Sequence, residues 1–440
     1  MIFFIFVLFL FFYFIVCFKN NKWASILILL HLVSILTGKL LDYRMDDSII
    51  GLGYAILTCV YLYLIIAPWA NFRSISTIEN DYGANINSYA RIVLFMGIFA
   101  TLFFTPVVLV LNSLDIDPDS FKYGGGMDDF YKSSAFPIPF KIFILITFFA
   151  NISLIALPMH FYYMIKGEKL MSILAFIASV AYVMRGLTYF SRAVTLQYVM
   201  LYGMLFLLFY KQIDKRILKY LKVVVFTGVI MVAINFLGIT HERFDDGYSF
   251  NQTEYAIDKM KYIDDPAVVS LLDYLSQGYY NSYDLLMKYD GRTFSGQTTF
   301  KDILVLMNQY LGFPFSSNDY QVLREKLWPG LWSKTFNGYV AYVVYDFGII
   351  GSLLVTLLYF GFIRRSFRTS KKATIKLSKL TWLTLFLQVP LYSIFYSAYT
   401  GIVIPGIFFF VINYMFVKRQ RQSVKRKSLP TVSIESEKLA

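Results

Sequence analysis

The sequence predicts an all-α polytopic membrane protein with about eleven transmembrane helices and one large extracytoplasmic helical loop. Two observations lead there. Of the 440 residues, 57% are hydrophobic and only 16% charged, with a mean hydropathy of +0.56; soluble domains carry about 25% charged residues. The apolar residues also fall in repeated stretches of about 17 to 25, each long enough as a helix to cross roughly 30 Å of hydrocarbon.

In chain order the expected spans are residues 2–18, 23–38, 49–69, 92–111, 142–165, 171–184, 193–210, 223–239, 340–363, 380–396 and 401–417. The first has no basic start and no small-residue cleavage site, so it reads as a retained helix and not a signal peptide. Charge orients the set. If even-numbered spans run outward, the clusters Lys211/Lys215/Arg216/Lys219, Arg364/Arg365/Arg368/Lys371/Lys372 and 418–427 all lie inside, as the positive-inside rule requires. The amino terminus is then expected outside and the carboxyl terminus inside. The net charge of +13 does not imply nucleic acid, because the excess sits in short juxtamembrane segments that suit anionic lipid headgroups. Cys17 and Cys59 lie within spans and form no ligand or redox spacing.

Two outside segments are long. In residues 112–141, Asp115, Asp117 and Asp119 alternate as in a calcium loop, but the later glycine and glutamate of such loops are missing, and a solvated acidic loop explains them as well. In residues 241–337, Val268, Leu271, Leu272, Leu275, Tyr279, Tyr283 and Leu286 follow helical spacing. Gly291 and Gly296 interrupt the pattern, and a second apolar stretch covers 303–311. The expectation is a compact helical cap lying on the membrane. Trp328, Trp332 and Tyr339 suit the interfacial aromatic belt or, alternatively, sugar stacking. The tail after residue 417 is basic, then rich in Ser, Thr and Glu, and is expected to be disordered.

Ionisable groups at the rim of a span are candidate functional residues, because the membrane makes them costly. Arg185 and Arg192 flank the turn between the sixth and seventh spans. Two guanidiniums at adjoining helix ends can converge on one anion, gripping phosphate oxygens bidentately; ordinary flanking arginines are the plainer reading. His241, Glu242 and Arg243 open the large loop and offer a base, a carboxylate and a cation, or simply a polar helix cap. His31 and His160 lie within spans, where interhelical hydrogen bonding is expected. Asp346 lies inside the ninth span and needs a partner, most simply an arginine of the outer turn; structural pairing and acid–base use both remain open. Arg292, Arg324 and Lys326 add positive charge to the loop, within reach of a diphosphate or merely solvated.

The chain resembles the Wzy-type oligosaccharide repeat unit polymerases, the O-antigen and capsular polysaccharide polymerase family. Three stretches carry the resemblance: Tyr189-Phe-Ser-Arg192-Ala-Val; Tyr274-Leu-Ser-Gln-Gly-Tyr-Tyr-Asn-Ser-Tyr283 through Gly296-Gln-Thr-Thr-Phe300 to Gly312; and Thr335-Phe-Asn-Gly-Tyr through Asp346-Phe-Gly-Ile-Ile-Gly351. Arg192 followed by Gly203 also fits an Arg-x10-Gly pattern of some members. A second such pattern is missing from the large loop, which leaves the acceptor side unassigned.

The resemblance implies the multi-span glycosyltransferase fold that uses lipid-linked donors, in the bacterial cytoplasmic membrane with its site on the outer face. The substrates would be undecaprenyl-diphosphate-linked oligosaccharides, with a chain-length regulator and a flippase as possible partners and no cofactor or metal. Arg185 and Arg192 would stabilise the departing diphosphate, and His241, Glu242 or Asp346 would serve as base, in that order of preference. Arg243, Tyr279, Tyr283 and Arg292 would bind substrate. A glycan ligase of the same fold and a lipid-linked oligosaccharide transporter are the alternatives.

Overall fold

The computed structural model describes residues 1–20, 22–41, 43, 45–70, 75, 77–113, 138–215, 218–219, 266–313, 336–366 and 374–427. The described part is mainly helical. The helices are α1 (Ile2–Asn20), α2 (Lys22–Leu40), α3 (Ile49–Ala70), α4 (Ile86–Ser113), α5 (Phe140–Ile152), α6 (Ala156–Ile165), α7 (Lys169–Leu187), α8 (Arg192–Phe209), α9 (Pro266–Met287), α10 (Gln297–Leu311), α11 (Tyr339–Ser366), α12 (Leu377–Tyr392) and α13 (Tyr399–Lys427). Among the described residues, seven helical segments are long and apolar enough to cross a membrane, and Ile2–Phe18 and Ala193–Phe209 are shorter apolar helices. Outward-facing Phe95, Leu102, Leu109, Leu358 and Phe410 are all large and exposed, the surface a bundle offers to lipid and not to water. The chain is therefore a polytopic helical membrane protein. The expected span at 223–239 lies outside the described residues.

A small feature was not anticipated. β1 (Thr77–Glu79) and β2 (Thr374–Lys376) form a two-stranded parallel sheet, with Ile78 opposite Ile375. Close by, Asp81 accepts the Ser378 amide at 3.2 Å and the Ser378 hydroxyl, capping the start of α12. Asn85 reaches the Phe416 carbonyl at 3.4 Å and Gln212 the Ile75 carbonyl at 2.5 Å. These contacts gather the segments after α3, α8 and α11 and the middle of α13 at one end of the bundle. At the other end, Tyr283 donates to the Asp46 carbonyl at 2.5 Å, Tyr43 to Asp273 at 2.6 Å, and Tyr310 to the Lys141 carbonyl at 2.7 Å.

Two helices depart from the simple spanning pattern. In α11, Gly348 has φ 74° and ψ 170°, a region open essentially to glycine alone. The chain folds back there. The Tyr339 hydroxyl lies 2.9 Å from Thr356 Oγ1, whereas the two residues would be about 25 Å apart along one straight helix. Only residues 349–366 have spanning length, about 27 Å. Residues 339–347 form a half-helix inside the bundle, which buries Tyr339 and removes it from the expected interfacial belt. The second departure is residues 393–398, between α12 and α13. They were expected partly in a span and partly in an outer loop; instead the segment is non-helical and largely buried. Its carbonyls are used: the Phe395 oxygen accepts from Asn337 (3.2 Å) and Gly338 (3.0 Å), and the Ser393 oxygen from Tyr339 (2.9 Å). Irregular backbone at membrane depth is tolerable only when protein groups satisfy it in this way.

Helix α9 confirms the helical spacing at 268–286 but is not a surface element. Its Gly278 touches the 393–395 segment so closely that a Cβ there would fall 1.6 Å from the Ile394 oxygen. Ser34 donates to the Leu275 carbonyl at 2.6 Å and Tyr280 to the Ile35 carbonyl at 3.0 Å. The helix is set into the bundle beside α2, α3 and the half-helix.

Candidate functional site

The site is built around the hairpin of α7 and α8. α7 ends in a tight turn in which Phe190 takes φ 52° and the Ser191 amide returns to the Gly186 carbonyl at 3.0 Å. A Cβ on Gly186 would meet that of Val194 at 2.6 Å, so glycine lets the two arms touch. Arg185 closes α7 and Arg192 begins α8, which puts both arginine positions on one turn. The Arg192 side chain lies outside the described residues. The Arg185 guanidinium points into the protein: it donates through Nη1 to Asn151 Oδ1 of α5 and lies 5.9 Å from the centre of the Tyr189 ring. Asp302 of α10 and the Tyr182 phenol are its other electrostatic neighbours.

Helix α10, which carries Asp302, is fixed at both ends. At its start the Asp346 carboxylate, from the half-helix of α11, accepts the amides of Thr298 (3.1 Å) and Thr299 (2.9 Å) and the Thr299 hydroxyl (2.6 Å). These are orphan N–H groups of a first helical turn, and a carboxylate there also meets the positive end of the helix dipole. Gly296 precedes the helix in the left-handed region (φ 83°), and its amide bonds the Asp346 carbonyl at 3.0 Å. Thr400 of α13 donates to the Thr298 carbonyl at 3.1 Å, and near the far end Tyr310 holds the Lys141 carbonyl. An open cavity of about 520 Å³ borders α10 along Gly296, Phe300, Leu304 and Phe313; among the described residues its lining has no charged side chain.

Beside Arg185 lies a group of tyrosines. The phenols of Tyr182 and Tyr396 interact, and Tyr189, Tyr342 and Tyr392 are near Tyr396. Tyr392 donates to the Gln197 carbonyl at 2.6 Å. Gln197 Oε1 and Ser397 Oγ are buried with no hydrogen-bond partner among the described residues.

Several expected site residues have other occupations. Among the described residues the partner of Asp346 is the start of α10. With 1% of its surface exposed and donors from both Thr298 and Thr299 on its oxygens, it positions a helix and has no open face toward a substrate hydroxyl. Tyr279 is buried, its hydroxyl 2.6 Å from His31 Nδ1, while Ser393 Oγ takes His31 Nε2 at 3.0 Å. Tyr283 is buried on the Asp46 carbonyl; burial pushes its phenol up to about 12, with Asp46 and Asp47 adding to the effect, so it stays a donor. Both tyrosines therefore join α9 to the bundle and do not line an open face. Arg292 is exposed and held by Asp290, its Nε at 2.8 Å and Nη2 at 2.5 Å from Oδ2. His241, Glu242, Arg243, Trp328 and Trp332 lie outside the described residues. His31 and His160 serve the interhelical bonding expected of them, His160 between the Ser172 carbonyl (2.9 Å) and the Tyr202 hydroxyl (3.2 Å).

Sequence reasoning passed over Asn151, Tyr182, Tyr396 and Asp302. Asn151 could have been found as a polar amide in an otherwise apolar stretch. Asp302 carries no such mark, since nothing local distinguishes it from a solvated loop carboxylate. Comparison of the chain with family models, with curated proteins and with solved structures finds no match in any of the three.

Proposed function

We propose that the chain is a polymerase that joins undecaprenyl-diphosphate-linked oligosaccharide repeat units into a surface polysaccharide, on the outer face of the bacterial cytoplasmic membrane. The observation that carries this reading is the placement of Arg185. A guanidinium at the end of a membrane helix is turned inward onto Asn151 and the Tyr189 ring, instead of toward lipid or water. That arrangement suits a leaving group that is both membrane-anchored and strongly anionic. A lipid diphosphate meets both conditions, and its developing charge needs fixed donors more than a metal.

In this reading the donor glycan enters with its polyprenyl tail in the bilayer. Arg185, with Arg192 on the opposite arm of the turn, holds the diphosphate while α10 limits access of water, which would otherwise hydrolyse the donor. Asn151 fixes the guanidinium plane. His241 and Glu242 retain their candidacy as groups near the acceptor, whereas Asp346 supports the site through α10. The basic segments at the opposite end would face the cytoplasm and its anionic lipids. A chain-length regulator and a flippase are the partners this activity would call for.

The purified chain in lipid nanodiscs, given the lipid-linked repeat unit, should produce a ladder of lengths. Arg185→Ala should reduce the rate by roughly 10²–10³-fold, the usual cost of losing one preorganised donor. Product that forms only when a different acceptor is added would identify a ligase. A transporter is the second reading, favoured by the breaks at Gly348 and residues 393–398, since transporters use discontinuous helices near their substrate sites. It would move the lipid-linked unit across liposomes without lengthening it, and Arg192→Ala would then block that movement.

A further inference from the structure

We propose that the cavity beside α10 holds one acyl chain of a membrane phospholipid, whose second chain lies along the exposed face of α11. The inference concerns the boundary between protein and bilayer and stands whatever reaction the chain carries out.

Three helix ends fix the level of α10. The Asp346 carboxylate, next to the fold-back at Gly348, takes the Thr298 amide of its first turn. Thr400, at the start of α13, reaches the Thr298 carbonyl, and Tyr310 reaches the Lys141 carbonyl at the start of α5. All three belong to apolar segments of membrane-crossing length. A 15-residue helix, about 22 Å long, that joins such ends lies across the bundle where hydrocarbon meets headgroups.

Its side chains fit that level. Val305 and Leu306 pack on the protein core, whereas Phe300, Leu311 and, just past the helix, Phe313 are exposed. Large apolar groups left exposed beside a spanning helix face lipid. Among them opens the cavity of about 520 Å³, walled by Phe300, Ile303, Leu304 and Phe313 and edged by Ser295 and Gln297. That volume falls within the range of lipid- and drug-sized sites, roughly 300–1,000 Å³. It suits one straight acyl chain and only a fraction of an undecaprenyl tail.

The mouth is shaped by its backbone. Ser295 takes φ 52°, a left-handed conformation uncommon for a residue with a Cβ. Gly296 follows at φ 83°, its amide tied to the Asp346 carbonyl at 3.0 Å. A Cβ on Gly296 would stand 3.3 Å from the Phe347 ring and 3.4 Å from that of Phe300, so a side chain there would press on both.

The rim selects the kind of lipid. Ser295 and Gln297 offer neutral donors, which suit the ester carbonyls of a glycerolipid, and among the described residues the lining has no cation for a diphosphate. Beyond Phe347 and Gly348, Ile350, Leu354, Leu358 and Phe362 form an exposed stripe along one face of α11. A lipid with two chains can fill slot and stripe together. A polyprenyl lipid has one chain for either.

The test uses the full chain in nanodiscs of phosphatidylethanolamine and phosphatidylglycerol, doped with phosphatidylethanolamine that carries an aryl diazirine on one acyl chain. After irradiation, peptide mass spectrometry maps the adducts. Labelling at Phe300, Leu304 and Phe313 should exceed that at the lipid-facing Leu102 and Leu109 by about 5-fold, since a concave site buries most of its ligand. Leu304→Trp fills the cavity and should remove the excess while Leu109 labels as before. Ile303→Phe, a milder filling, should lower the excess in part and takes the place of the tryptophan variant if that one melts early. Slot labelling no higher than at Leu109 overturns the proposal, as does an excess that neither folded variant reduces. Displacement of the label by undecaprenyl diphosphate, at concentrations where added phosphatidylglycerol has no effect, overturns it as well and gives the slot to a polyprenyl chain.

Discussion

The carboxylate of Asp346 accepts the Thr299 amide at 2.9 Å and the Thr299 hydroxyl at 2.6 Å. The first turn of α10 is thus capped by a residue 47 positions away in sequence, from the half-helix of α11. The helix bearing Asp302 is consequently tied to the fold-back at Gly348.

Removing that cap should loosen the site from a distance. Asp346→Ala strands buried N–H groups and should cost about 2–4 kcal/mol, while Asp346→Asn, which keeps one acceptor oxygen, should cost less. Thermal unfolding in nanodiscs gives the order. If Asp346 were the base, Asn and Ala would instead abolish transfer equally with both proteins fully stable.

Glycines at two positions should behave in opposite ways. Gly348→Ala forces an alanine to φ 74°, ψ 170°, a strain on the order of 1–3 kcal/mol, and should sharply reduce the yield of folded protein. Gly203→Ala meets nothing within 4 Å and replaces a helical glycine, so it should be neutral or stabilising by about 0.5–1 kcal/mol. A loss of polymer in folded Gly203→Ala would show that the Arg-x10-Gly spacing has a role the packing does not reveal.

Tyr279 offers a separate check on where the glycan runs. Tyr279→Phe removes a hydroxyl bonded to His31 and leaves a buried nitrogen without its partner, at about 1–3 kcal/mol. The expected result is a lower melting temperature with an unchanged KM for the lipid-linked unit. A raised KM at unchanged stability would put Tyr279 in contact with sugar after all.

The small sheet gives a test of geometry. Thr77 and Thr374 face each other in register, their hydroxyls 2.9 Å apart, so Thr77→Cys with Thr374→Cys should form a disulfide under mild oxidation. In the orientation proposed, a membrane-impermeant thiol reagent should reach the reduced pair only from the cytoplasmic side. Labelling of intact cells or spheroplasts from outside would reverse the topology.

Hydropathy made most helices legible, since crossing hydrocarbon needs a long apolar run whatever the helix packs against. The spacing of Leu275, Tyr279, Tyr283 and Leu286 likewise revealed α9, but an amphipathic pattern does not say whether its apolar face meets lipid or protein. The fold-back at Gly348 was hidden because 340–363 is one apolar run; a single glycine in such a run looks the same whether its φ is negative or positive. Asp346 was rightly marked as needing a partner, yet backbone amides have no sequence signature, so an arginine was the natural expectation. Asn151 was missed for the complementary reason: an amide in an apolar helix shows its use only once α5 and α7 are packed so that it meets Arg185.

The half-helix at 339–347 and the irregular segment at 393–398 satisfy each other's backbone groups, and this constrains how the protein is made. Neither piece can settle in the bilayer alone, because its free amides or carbonyls would meet hydrocarbon. The later segment leaves the ribosome after the earlier one, so the centre of the bundle has to wait for the carboxyl-terminal helices. A chain released after residue 366 would have its first helices inserted and its core unfinished, a natural substrate for membrane quality-control proteases.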